Sequence, residues 1–202
     1  MNKKVKKSLI EYSIILGVFS FLYFTGLHTE VLGFIQRGVL KTGIADPDIK
    51  NDTILEEPKQ YPKANYSMKL IDSEGREFDM ESLRGKVIFL NIWASWCPPC
   101  LAEMPGINNL YNQMDKNKVA FIMLSVDDDF AKALKLRKKK GYDFEIYQAP
   151  AGLPRLYYSQ SIPTTYIVNS QGELVLKHDG MGDFDTKEFK VYMEGLVNKS
   201  EG

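Results

Sequence analysis

Two apolar runs of strand length, KVIFLNIW at residues 86–93 and KVAFIMLSV at residues 118–126, lie on either side of a stretch with helical spacing. A run this continuously apolar is tolerated as a strand only where both of its faces are covered, so both segments belong inside a sheet with other elements packed above and below. Between them, residues 98–116 read as a helix: Leu101, Met104, Ile107, Leu110 and Met114 share one face, Pro99 falls in the first turn where a missing amide costs little, and Pro105 should introduce a kink. Residues 127–140 read as a second helix, opened by three aspartates and closed by basic residues and Gly141, in keeping with the helix dipole.

The flanking segments complete the pattern. Residues 67–80, SMKLIDSEGREFDM, form two short strands around a Ser-Glu-Gly turn. A short strand is expected at 143–147, a helical turn at 153–158, a hairpin pairing 164–168 with 173–178 across Asn-Ser-Gln-Gly, and a last helix at 186–199. Strands alternating with helices make an α/β fold, with helices expected on both faces of the sheet.

The N-terminus has a different texture. Lys3, Lys4, Lys6 and Lys7 precede a largely aliphatic and aromatic stretch, residues 9–27, of the length needed to cross a bilayer, with Glu11 placed at the headgroups. No small-x-small cleavage site follows it, so a retained anchor is favoured over a cleaved signal peptide. The lysine bias against Arg37 and Lys41 puts the N-terminus in the cytoplasm and the rest of the chain outside, facing the periplasm or the cell exterior. This divides the chain into a cytoplasmic tail (1–8), a transmembrane anchor (9–27), a membrane-proximal segment and linker (28–60), in which the weakly amphipathic Val31, Leu32, Ile35, Val39 and Leu40 read as a turn of helix, and a globular domain (61–202). Charge balances at 26 basic and 26 acidic residues, which offers no global field to attract nucleic acid.

The chain has two cysteines, Cys97 and Cys100, in the sequence WASWCPPC. An extracytoplasmic chain ordinarily uses cysteines as structural staples, but a disulfide enclosing two residues restrains the unfolded chain very little, which favours a chemical role. Cys97 falls where the strand ends and the helix begins, so unpaired amides and the positive end of the dipole favour its thiolate. Cys100, one turn further on, can attack a mixed disulfide formed at Cys97, making Cys97 the nucleophile and Cys100 the resolving thiol. Prolines at both intervening positions stiffen the turn and remove amide donors. A structural zinc site would want four ligands, and only His28 and His178 are available besides the cysteines. Met104, Met114 and Met123 read as core rather than copper ligands, the basic run at 132–140 as a solvated helix face, and Trp93 as core.

The stretch GKVIFLNIWASWCPPCLAEMP together with SIPTTYIVNSQGEL resembles the membrane-anchored thioredoxin-like proteins of the TlpA/ResA type, over residues 61–202. The resemblance implies a thioredoxin-like fold with an N-terminal β-hairpin and an inserted strand-helix unit, here near residues 143–160. It implies exchange of disulfides with partner proteins outside the cytoplasm, with no cofactor beyond the redox-active disulfide. Residue by residue, it makes Cys97 and Cys100 the redox pair and Pro163 a proline preceded by a cis bond. Trp96, Pro98, Pro99, Ile162 and Pro163 then form the surface that meets substrate, the Ile162 backbone pairing with a substrate segment as an added strand. Glu103 matches an acidic residue placed near the pair, where burial would let it exchange a proton with Cys100; the alternative is a solvated first-turn glutamate. Asn91 stands where thioredoxin itself has a buried aspartate, and an amide cannot take up a proton.

The expected activity is therefore thiol-disulfide exchange, in the reducing direction, with electrons drawn from a membrane-embedded donor. Other readings are a thiol peroxidase, whose reactive cysteine sits in a different local sequence, a copper-delivery module, whose cysteines are spaced one residue further apart, and an adhesion or scaffold role with an idle CxxC.

Overall fold

The computed structural model describes residues 3–25, 27–40, 47 and 61–198. Two helices come first, α1 (Lys3–Thr25) and α2 (Leu27–Leu40). The strands β1 (Lys69–Ile71) and β2 (Glu77–Asp79) pair as an antiparallel hairpin around the expected turn, where Gly75 takes a positive φ that glycine adopts without strain. Beyond a 3-10 turn at Met80–Leu83 come β3 (Val87–Trp93), α3 (Pro98–Gln113), β4 (Val119–Ser125) and α4 (Phe130–Lys140). β5 (Ile146–Tyr147), a 3-10 turn at Arg155–Tyr157, β6 (Thr164–Val168), β7 (Leu174–Asp179) and α5 (Lys187–Asn198) complete the chain.

Five strands form one mixed sheet in the order β5-β4-β3-β6-β7, with β3, β4 and β5 parallel and β6 and β7 antiparallel. The apolar run predicted to be covered twice lies in the middle as β3, buried at every position. Its alternate residues feed two cores. Phe89 and Trp93 join Leu101, Met104 and Ile107 of α3 and Phe189 and Met193 of α5 on one face, while Ile88, Leu90 and Ile92 join Leu70, Met80 and Tyr157 on the other. Burying alternate side chains on opposite sides is what period-two geometry dictates for a central strand.

One sequence expectation needs correcting. Helices were expected on both faces, but among the described residues α3, α4 and α5 all pack on the first core, and the second face is closed by the β1-β2 hairpin and the 3-10 turns. The cause is chirality. β3, β4 and β5 advance in one direction across the sheet, so two right-handed crossovers place their helices on the same side. The expected anchor is not shown by the structure. Most of the expected span is helical in α1, but that helix starts within the lysine-rich end and includes Glu11, and among the described residues no helix is long and apolar enough to cross a membrane. The helical turn expected near the membrane is instead the full helix α2, which packs on α3. Of the segment and linker expected over 28–60, residues 41–60 apart from Pro47 lie outside the described residues. The inserted unit reduces to the edge strand β5 and one 3-10 turn.

Candidate active site

The loop between β3 and α3 is held from the neighbouring strand. Beyond the end of β4, the Asp127 carboxylate accepts the Ser95 amide at 2.9 Å, the Ser95 hydroxyl at 2.6 Å and the Ser125 hydroxyl at 2.8 Å. The Val126 amide donates to the Trp93 carbonyl at 2.9 Å, continuing the β3-β4 ladder one step, and the Cys97 amide closes a turn onto the Ala94 carbonyl. Ser95 and Cys97 are two residues apart, so a carboxylate fixed at the end of β4 fixes the approach to the redox pair. The aspartates at 127–129 were expected to open a helix. The structure starts α4 at Phe130 with Asp129 as its cap, which releases Asp127 for this other task.

Cys97 caps α3 with extended backbone, and Pro98 and Pro99 occupy the first turn. Neither proline has an amide hydrogen, so the first donor of the helix is the amide of Cys100, which points at Cys97 Sγ at 3.3 Å. The next amide, that of Leu101, is taken by the Cys97 carbonyl. Cys97 and Cys100 are joined as a disulfide with Cα atoms 5.3 Å apart. Cys100 is fully buried and Cys97 is 3% exposed, whereas Trp96 beside them is 57% exposed. Pro98 and Pro99 are half-buried, so the rim of the site is an indole and two pyrrolidine rings.

The opposite wall is the entry to β6. The Ile162–Pro163 bond is cis, as the resemblance implied, and the Ile162 carbonyl oxygen lies 3.8 Å from Cys97 Sγ. Ile162 is half-buried and Pro163 buried. The Pro163 carbonyl is already engaged by the Gly180 amide, which ties this wall to the end of β7.

Glu103 is 1% exposed, so the solvated reading of it is incorrect. It stands one helical turn beyond Cys100 on α3, at the i, i+3 spacing of neighbouring positions on a helix surface. One carboxyl oxygen receives the Asn91 side-chain amide at 2.8 Å and the other the Gly182 backbone amide at 3.0 Å. Asn91 in turn donates to the Thr165 hydroxyl at 2.9 Å. Burial pushes Glu103 up from 4.5 to about 8, with the Gly182 and Asn91 hydrogen bonds only partly opposing it. A carboxyl group with that affinity takes up and releases protons near neutrality, as exchange with a thiol requires.

All eight residues singled out from the sequence therefore fall around one site: Trp96, Cys97, Pro98, Pro99, Cys100 and Glu103 on the loop and first turns of α3, Ile162 and Pro163 facing them. Sequence reasoning missed Asp127, Ser95 and Ser125, which hold the loop, and Gly182, which holds Glu103. A signal existed for Asp127, since three consecutive aspartates exceed what one helix cap needs. Gly182 had none: it is a glycine because a Cβ there would sit 2.7 Å from the Phe184 ring. The methionines and Trp93 are core, as expected. His178 bonds to the Met181 carbonyl and packs edge-on to Phe184. Among the described residues no three His, Cys, Asp or Glu side chains are grouped to hold a metal ion.

The Redoxin family model matches residues 47–192 of the chain. The chain is similar to the thiol-disulfide oxidoreductase ResA of a Bacillus cereus strain, 28% identical over 145 residues, spanning 71% of this chain and 80% of that protein. It is also similar to the ResA of Geobacillus thermodenitrificans, 30% identical over 128 residues, spanning 63% and 72%. Among solved structures, a thiol:disulfide interchange protein from Chlorobium tepidum superposes with a TM-score of 0.58 at 22% identity, over 72% of this chain and all of that one, a likeness of fold.

Proposed function

Since the chain belongs to the Redoxin family, as a thiol-disulfide oxidoreductase of the TlpA/ResA type, we propose that it works outside the cytoplasm as a reductase of protein disulfides. The observation that carries the reading is the arrangement at Cys97: a sulfur at the cap of α3, 3.8 Å from the Ile162 carbonyl and beside an exposed indole.

In the reduced protein the Cys97 thiolate attacks one sulfur of a substrate disulfide. The Cys97–substrate bond forms as the substrate S–S bond breaks, and the departing thiolate takes a proton from solvent. Glu103 in its ionised form takes the proton of Cys100, whose sulfur attacks Cys97 Sγ. This forms the Cys97–Cys100 disulfide and expels the second substrate thiolate, which is protonated in its turn. Two electrons pass from the enzyme dithiol to the substrate disulfide, and a thiol donor must restore them. We assign that donor to a membrane-embedded protein, because an extracytoplasmic compartment lacks the cytosolic reducing systems.

The reducing direction is supported by the first turn of α3. A strong oxidant owes its potential to a stabilised thiolate, and here two of the amides that would stabilise it are replaced by prolines, leaving that of Cys100. Membrane attachment is supported by α1, where Ile14, Leu16 and Phe21 are exposed, and an N-terminus inside the cytoplasm by the lysines before it.

The test is capture. The Cys100→Ser variant, reduced and mixed with disulfide-bonded extracytoplasmic proteins, should accumulate mixed disulfides at Cys97 that dithiothreitol dissolves. Cys97→Ser should accumulate none, and an absence of adducts from both variants would sink the reading.

A further inference from the structure

The helix α2 is inside out. An amphipathic helix on a protein surface turns its apolar stripe inward, but here the inward stripe is Gly33, Gln36, Arg37 and Leu40, spaced i, i+3, i+4, i+7. A Cβ on Gly33 would lie 3.3 Å from the Pro98 carbonyl oxygen and 3.5 Å from Leu101 Cβ, so α2 rests directly on the first turn of the redox helix. Gln36 Oε1 and Arg37 Nε are buried with no hydrogen-bond partner among the described residues. The outward side carries Val31, Leu32, Phe34, Ile35 and Val39, with Phe34 72% and Ile35 59% exposed. Five large apolar side chains turned to water on one short helix, while polar ones are turned inward, mark a surface made for another apolar phase.

We propose that α2 lies flat on a lipid bilayer with this outward face among the upper acyl chains, and so holds the mouth of the redox site at the membrane surface. The inference rests on the reading of α1 as the membrane attachment and goes beyond it by giving α2 and the active site a fixed place on the bilayer. Lipid is the occupant because the apolar surface does not stop at α2. One residue separates it from α1, whose Tyr12, Ile14, Ile15, Leu16, Val18 and Phe21 are exposed as well, spread around the helix rather than along one stripe. A second copy of the chain could cover a stripe but would leave those residues in water, whereas a bilayer accepts both helices. Lys3, Lys4, Lys6 and Lys7 supply the cationic end that anionic headgroups attract.

The consequence concerns substrates. Packed helices have axes about 8–10 Å apart, so Cys97, one residue before the α2 contact at Pro98, lies about one helix diameter from the lipid. Disulfides within reach are those held close to the membrane, on membrane-tethered or membrane-embedded proteins, and a freely diffusing protein must approach the bilayer to react.

Photolabelling tests this with the full chain in vesicles of phosphatidylcholine and phosphatidylglycerol carrying a diazirine on the acyl chain, with adducts mapped by mass spectrometry. Adducts are expected on peptides of α1 and on peptides containing residues 31–39. The F34E/I35E double variant should lose the α2 adducts by about tenfold or more while keeping those of α1; near-ultraviolet circular dichroism verifies that its domain is folded. Adducts confined to α1 in the wild type would overturn the inference and leave the attachment standing. Links between α2 peptides of two chains, without lipid adducts, would overturn it in favour of a dimer. Adducts on neither helix would remove the attachment and the inference together, and the capture experiment on Cys97 would still decide the redox reading separately.

Discussion

Replacing Glu103 with glutamine should make the oxidised protein more stable at neutral pH while making it a poorer enzyme. In the folded protein Glu103 binds its proton up to about 8, against 4.5 for an ordinary glutamate. A folded pKa raised above the unfolded one contributes stability that is complete below the unfolded value and is lost as pH rises through the folded value. At about 1.4 kcal/mol per pH unit, the wild type should lose about 3–4 kcal/mol between about pH 5 and pH 8, most of it already by pH 7. The other shifted carboxylates, Asp72, Asp143, Glu173 and Asp179, are held below their ordinary values, so their contributions change at lower pH, outside this window.

Glutamine fits the same hydrogen bonds. Its carbonyl can take the Gly182 amide, and its NH2 can donate to the Asn91 oxygen once the Asn91 amide is reversed, which turns the Asn91 NH2 to the side where the oxygen now lacks a partner. Urea titrations of the oxidised proteins at several pH values should therefore show a falling line for wild type, a nearly flat one for E103Q, and the variant ahead by about 2–3 kcal/mol at neutrality. In stopped-flow exchange the same variant should resolve mixed disulfides more slowly, with attack by Cys97 unchanged. Parallel stability lines would refute the buried-acid argument, and equal slowing of both steps would refute the assignment of the proton to Cys100.

The remaining predictions concern the supports of the site. Asp127→Ala removes three hydrogen bonds to a carboxylate and should cost about 2–3 kcal/mol in urea; an unchanged midpoint would mean that the loop is held by other contacts. Gly182→Ala forces a methyl against the Phe184 ring and should destabilise by about 1–3 kcal/mol, and wild-type stability would show that the loop yields freely. Pro99→Ala returns an amide to the first turn of α3. The Cys97 thiolate should then be better stabilised and the couple more oxidising by about 20 mV for each 1 kcal/mol of hydrogen bond, and a potential that stays put or falls would contradict the role given to the prolines.

The central strand and the redox helix were legible from the sequence because a continuous apolar run and a 3.6-residue stripe are local signals. So was the cysteine pair, whose chemistry follows from its spacing and its place at a helix start. What a local pattern cannot carry is direction across the sheet. Helices were expected on two faces because alternation shows that crossovers exist, not that β3, β4 and β5 step the same way. Burial of Glu103 was half legible: it shares a face with Cys100 and Ile107, but the residues that enclose and bond it, Asn91, Thr165 and Gly182, come from β3, β6 and the loop after β7. α2 misled because its apolar residues do suggest an amphipathic helix, and nothing in their spacing says that the polar side is the one that packs.

The central claim is that the Cys97–Cys100 couple gives electrons to protein disulfides. Its most direct test is the reduction potential of the full chain, equilibrated against dithiothreitol and glutathione buffers and read by the alkylation state of the two cysteines. The account predicts a value near or below about −270 mV, the range of thioredoxin. A value near about −120 mV, that of the oxidant DsbA, would reverse the direction of electron flow and contradict it.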